Sequence, residues 1–127
     1  MAARLQSFSS VFAVRDVGRS LAFFMEKLGF RVEFRMGDPV EYAIIERDMV
    51  SLHLMPASRD PAALGQARIY VFTAGVDALH EELRALGCPI EMAPKDLPYG
   101  MREMSVRDLD GNRLTFGEEV KMPKATA

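Results

Sequence analysis

The chain has a single cysteine, Cys88, only two histidines, no long apolar run and no large excess of either charge. One cysteine can form neither an intramolecular disulfide nor a cysteine-rich zinc cluster, and it suits a reducing compartment. No apolar stretch approaches the roughly 20 residues of a membrane-spanning helix. Sixteen basic residues against eighteen acidic ones leave a formal charge of −2 and an isoelectric point near 5.7. There is no basic run of the kind that grips a phosphate backbone, so neither nucleic acid nor a membrane is an expected partner. Residues 1–10 lack the charged and apolar regions of a signal peptide, and the expected location is the cytoplasm. With 49% apolar and 27% charged residues, the composition is that of an ordinary globular protein, and 127 residues suffice for one domain with its own core.

The clearest local signal lies at residues 98–118. Asp108, Asp110, Gly111 and Asn112 form a turn cluster, because Asp and Asn side chains bond their own backbone and Gly tolerates positive φ. Before it, Met104 and Val106 alternate with Glu103, Ser105 and Arg107; after it, Leu114 and Phe116 alternate with Arg113 and Thr115. Period-two alternation predicts a hairpin with one packed face and one polar or open face. Upstream, 11–14 is a short apolar run, and Asp16, Gly18 and Ser20 can start a helix whose apolar face is Leu21, Phe24, Met25 and Leu28, closed by Gly29. Strand-like pieces follow at 30–36, 40–46 and 50–55. Residues 56–66 read as a linker.

The pattern then restarts. A shift of 58 residues places Ile69 on Val11, Phe72 on Val14, Leu79 on Leu21, Leu83 on Met25, Leu86 on Leu28 and Gly87 on Gly29, an internal repeat. A short strand at 90–92, a proline-rich loop at 93–100 and the hairpin complete the second copy. The expected fold is α+β: two tandem βαβββ modules, about 8–55 and 67–118, forming a curved mixed sheet around a cleft. They make a single domain, 1–120, with a loose tail at 121–127.

The stretches Phe12-Ala-Val-Arg-Asp-Val-Gly-Arg-Ser20, Leu21-Ala-Phe-Phe and Leu28-Gly-Phe30 resemble the first module of the vicinal oxygen chelate superfamily. Val76-Asp-Ala-Leu79 and Val106-Arg-Asp-Leu-Asp-Gly-Asn-Arg-Leu114 resemble the second, and the run PYGMREMSVRDLDGN is similar to the closing module of bleomycin resistance proteins. The resemblance covers roughly residues 8–118. It implies a homodimer with pockets between chains. Catalytic members of the superfamily hold a divalent metal with His, Gln and Glu side chains from paired inner strands. Here the resemblance places Ser9, Arg68 and Thr115 where such ligands stand. Two hydroxyls and a guanidinium make no metal site, and a fixed cation at Arg68 repels a divalent ion. No metal, cofactor or catalytic residue is expected. His53 alone is too few ligands, and Cys88 reads as a structural thiol.

The residues left to line a cleft are aromatic. With Ile69 and Val71 directed to the helix, the pleat sends Arg68, Tyr70 and Phe72 to the opposite face. By resemblance, Tyr70, Phe72, Phe34 and His53 are counterparts of the aromatics that sandwich the flat bithiazole tail of bleomycin, with Tyr99 and Arg102 at the rim and Thr115 beside them. Core packing of Tyr70 and Phe72 is the competing reading. The expected function is metal-independent binding of a flat amphipathic or cationic small molecule, such as a bleomycin-type glycopeptide antibiotic, by sequestration. The alternatives are a metal-dependent lyase, transferase or dioxygenase of the same superfamily, and a structural or regulatory module whose cleft is spent on dimerisation.

Overall fold

Asp16 starts the first helix through its side chain, which accepts the Arg19 N–H at 2.9 Å, and Gly29 closes it with φ of 69°. This helix, α1 (Val17–Leu28), follows strand β1 (Ser10–Val14) and precedes β2 (Arg31–Met36), β3 (Tyr42–Arg47) and β4 (Val50–Pro56). Two single turns of 3-10 helix occupy the linker. The second module repeats the order with β5 (Arg68–Phe72), α2 (Val76–Ala85), β6 (Met92–Asp96), β7 (Met101–Arg107) and β8 (Arg113–Glu119). The structure, a computed structural model, describes residues 2–120; the tail at 121–127, expected to be loose, lies outside the described residues.

The repeat holds in three dimensions, since β1 begins at Ser10 and β5 at Arg68. Each module is a four-stranded mixed sheet, ordered β1-β4-β3-β2 and β5-β8-β7-β6, with one parallel pair and two antiparallel pairs. Helix α1 packs on β2, β3 and β4, and α2 on β6, β7 and β8, so each helix seals one face of its own sheet. Between helix and sheet run Phe12, Phe24, Ile45, Leu52 and Leu54 in the first module and Leu83, Met104, Val106 and Leu114 in the second, all fully buried. Among the described residues no helix covers the opposite sheet faces.

Three local expectations are corrected. Met25 is 44% exposed, because the buried arc of α1 runs through Val17, Ser20, Phe23 and Phe24 and is turned toward Phe23, away from Met25; Leu86 is 38% exposed because it lies past the end of α2, at its C-cap. Residues 93–96 were expected in a loop but extend β6. That strand is at the edge of its sheet, where Pro94, beside a register shift between Met92 and Lys95, breaks no inner ladder.

The Asp-Gly-Asn turn fastens one module to the other. Asn112 is fully buried; its Nδ2 donates to the Ala13 carbonyl at 3.3 Å and to Asp108 Oδ2 at 2.9 Å, while its Oδ1 accepts the Ala67 N–H at 2.9 Å. Burial raises the Asp108 carboxyl above its ordinary pKa, against the hydrogen bonds from Asn112 and the turn backbone. At the other end of the seam Arg47 grips Glu82 through two bonds, at 2.6 and 2.9 Å, and also donates to the Leu28 carbonyl.

Candidate ligand-binding face

The open face of the second sheet is a grid set by strand register. Arg68, Arg113 and Arg107 lie side by side across β5, β8 and β7; the next row is Tyr70, Thr115 and Ser105; the third is Phe72, Gly117 and Glu103. Ile69 and Val71 pack against the core, while Tyr70 is 41% and Phe72 83% exposed. The pleat therefore directs Tyr70 and Phe72 to the face away from the helix, and neither ring is buried within the chain.

Gly117 gives the face its shape. The Tyr70 ring lies across it, so that a methyl group at Gly117 would sit 1.9 Å from the phenol oxygen. Passing over that gap, the Tyr70 hydroxyl donates to Glu103 Oε2 at 2.7 Å, and the Tyr99 hydroxyl donates to the same oxygen at 2.8 Å. Burial, then the bond to Glu103 and its negative charge, push the Tyr70 phenol up to about 12; the bond to Glu103 raises Tyr99 as well. Tyr70 and Phe72 rings stand 5.3 Å apart at 59°. Glu103, only 6% exposed, and Gly117 were not singled out from sequence, although the alternation along β7 had placed Glu103 on this face.

The arginine end is partly neutralised by Glu91. It accepts from Arg113 at 2.8 Å, from Arg107 in a close ion pair, and from the Ser105 hydroxyl at 2.9 Å. Arg113 and Arg107 thereby lower its carboxyl from an ordinary 4.5 to about 2. A depressed carboxyl contributes stability that is present above pH 4.5 and lost as the pH falls towards 2. Glu91→Gln is therefore expected to flatten the decline of melting temperature across that window. After screening, the difference is about 1 kcal/mol, read from thermal melts of both proteins. Parallel curves would show that Glu91 is not the titrating group.

The other expected site residues are dispersed. Phe34, Ile44, His53 and Val11 form one cross-strand row on the open face of the first sheet, where His53 Nδ1 is hydrogen-bonded to the Tyr42 hydroxyl at 2.8 Å. Arg102 is not at the rim of the Tyr70 face: its neighbours along β7, Glu103 and Met101, point there, and Arg102 is held by Asp77 of α2 and by Asp96, both at 3.0 Å. Among the described residues, His53 lies on the first sheet and Tyr70 and Phe72 on the second, so the three do not wall one cavity as expected. The cavity of about 440 Å³ between the modules is lined by Leu28, Phe30, Val71, Phe72, Leu79 and Phe116 among others, but by neither His53 nor Tyr70. It lies along the seam, on the side of the helices.

A divalent metal does not fit the donors present. Ser9 Oγ is bonded to Ser51 Oγ at 3.0 Å, the Arg68 guanidinium donates to the Gly65 and Ala67 carbonyls, and Thr115 sits between Tyr70 and Ser105. Among the described residues no three His, Cys, Asp or Glu side chains converge as a ligand set.

Residues 6–116 match the model of the Glyoxalase/Bleomycin resistance protein/Dioxygenase superfamily. The chain belongs to that superfamily. Within it, the chain is 26% identical to the bleomycin resistance protein of Geobacillus stearothermophilus over 134 aligned positions, covering 92% of this chain and 98% of that one. The fold is similar to that of TnmS3, an antibiotic binding protein from a Streptomyces species, with a TM-score of 0.77 at 22% identity, covering 93% of this chain and 99% of that one. It is also similar to the bleomycin-binding protein of Streptomyces verticillus, crystallised with copper(II)-bleomycin, with a TM-score of 0.74 at 25% identity over 95% and 100% of the two chains. The superfamily accounts for the paired βαβββ modules and their open sheet faces.

Proposed function

We propose that this protein is a metal-independent binder of a flat, amphipathic or cationic small molecule of the bleomycin type, acting by sequestration. The observation that carries the reading is the exposed aromatic pair Tyr70 and Phe72, with Tyr70 held by Glu103, on a sheet face where no metal-ligand set converges among the described residues. Exposed aromatics are costly to leave in water, and a planar ligand stacked on one gains roughly 1 kcal/mol beyond its burial. The bleomycin resistance proteins among the relatives support the ligand class, and the superfamily's lyase and dioxygenase chemistry is disfavoured by Ser9, Arg68 and Thr115. A thermal-shift screen of the purified protein against bleomycin, aromatic metabolites and divalent metals tests it. Stabilisation by flat ligands is expected; stabilisation by a metal alone would favour the enzymatic reading. Metal removal gives the matching prediction: EDTA leaves the melting temperature unchanged, and elemental analysis finds no stoichiometric Zn, Mn, Ni or Fe. About one such ion per chain would overturn it.

The working unit in this proposal is a symmetric homodimer in the cytoplasm. His53 and Phe34 lie on the open face of one sheet and Tyr70 and Phe72 on that of the other, and both faces carry exposed apolar side chains, Val11, Phe34 and Met36 on the first. A twofold partner can set the first face of one chain against the second face of the other. Sedimentation at micromolar concentration is expected to give a species of twice 14.2 kDa; a single species at the monomer mass would contradict it.

A further inference from the structure

Glu103 differs from the other carboxylates of its sheet. Glu91 holds two arginines, and Glu118 caps α2 by accepting the Gly75 and Val76 N–H groups. Glu103 is nine-tenths buried, yet among the described residues it has no basic partner within ion-pair distance. Lys95 is its cross-strand neighbour on β6 but makes no ion pair with it. Both phenols bond the same oxygen, Oε2, which leaves Oε1 without a protein donor. Oε1 is not sealed in: Ser20 Oγ is the one fully enclosed side-chain polar atom without a partner among the described residues.

We infer that Glu103 Oε1 receives a protonated nitrogen of the ligand, so that this face selects flat molecules bearing a basic N–H group over neutral molecules of the same shape. The inference rests on the stacking reading above and names what kind of molecule stacks. A carboxylate reached by water only at Oε1 and lacking a counter-ion is poorly solvated, and an ammonium or amidinium donating to Oε1 offsets that cost. The Tyr70 and Phe72 rings, 5.3 Å apart on the same face, give the flat part of the ligand an aromatic surface beside the carboxylate. Tyr70 and Tyr99 act as positioning residues, fixing the carboxylate by Oε2 so that Oε1 is presented to the ligand. The opposite end of the grid sets the orientation. Arg68, Arg113 and Arg107 lie four residues further along the strands, roughly 13 Å away at the strand rise. Their excess positive charge turns a cationic group away from that end.

The test is a calorimetric titration of the full-length protein and of Glu103→Gln with 2-naphthylmethylamine and its neutral isostere 2-naphthylmethanol at neutral pH. The wild type is expected to bind the amine about tenfold or more tightly than the alcohol, as a charge-assisted bond implies. Glu103→Gln is expected to bind the two alike. The wild-type comparison needs no variant and so does not depend on how Glu103→Gln folds. Equal binding of amine and alcohol by the wild type would overturn the inference while leaving the stacking reading intact. A preference that survives in Glu103→Gln would overturn the assignment to Glu103. Failure of both probes to bind would remove the stacking reading, and the inference with it.

Discussion

Replacing Asn112 with Ala is expected to destabilise the protein more than any surface change, by roughly 3 to 5 kcal/mol. The side chain is fully buried and makes three hydrogen bonds, one across the seam to the Ala13 carbonyl and two within the second module, to Ala67 and Asp108. Alanine leaves the Ala67 N–H without its partner and the Ala13 carbonyl with only a long bond from the Gly65 N–H at 3.5 Å, and an orphaned buried group costs about 1 to 3 kcal/mol. It also strips a donor from Asp108, whose carboxyl is already raised by burial. Set against a typical total of about 5 to 15 kcal/mol, this is a large fraction of the fold's stability. Thermal melts of the two proteins measure it, and a change of less than about 1 kcal/mol would show that the turn does not fasten the modules together.

Tyr70→Ala is expected to weaken binding of a flat ligand by on the order of fivefold or more while leaving the fold intact. The ring is 41% exposed and its hydroxyl shares Glu103 with Tyr99, so its loss does not orphan the carboxylate. A fully buried aromatic behaves otherwise, since truncating one costs about 3 to 5 kcal/mol of stability. Gly117→Ala is expected to reach the same end without removing the ring. The new methyl group meets the phenol at 1.9 Å, which drives Tyr70 off the sheet and away from Glu103. Calorimetric titration with a melting curve on each variant checks both, and unchanged affinity in either would show that Tyr70 does not stack.

The parts of this molecule that obey local periodicity were legible in the sequence. Asp16 and Gly29 bound α1, the 58-residue repeat is the spacing of β1 and β5, and alternation along β5 alone sends Tyr70 and Phe72 to the open face. What sequence could not supply is relative placement. A repeat says that two modules are equivalent, not that their open faces meet, and so the expectation of His53 and Tyr70 in one cavity fails among the described residues, where they lie on different sheets. Glu103 shows the same limit: a polar residue on an alternating strand reads as solvated. Only the register that sets it beside Gly117, with Tyr70 crossing the gap, makes it a buried acceptor. Pro94 reads as a loop signal, since proline breaks inner strands, and only the strand order reveals that β6 is an edge.

The most direct test of the central claim, a stacking face that needs no metal, is a calorimetric titration of metal-free bleomycin into wild type and Tyr70→Ala with EDTA present. The account predicts one binding event per chain in the wild type despite EDTA, and weaker binding by a Tyr70→Ala protein that still melts within a few degrees of wild type. Binding that EDTA abolishes, or that Tyr70→Ala leaves unchanged, would contradict it.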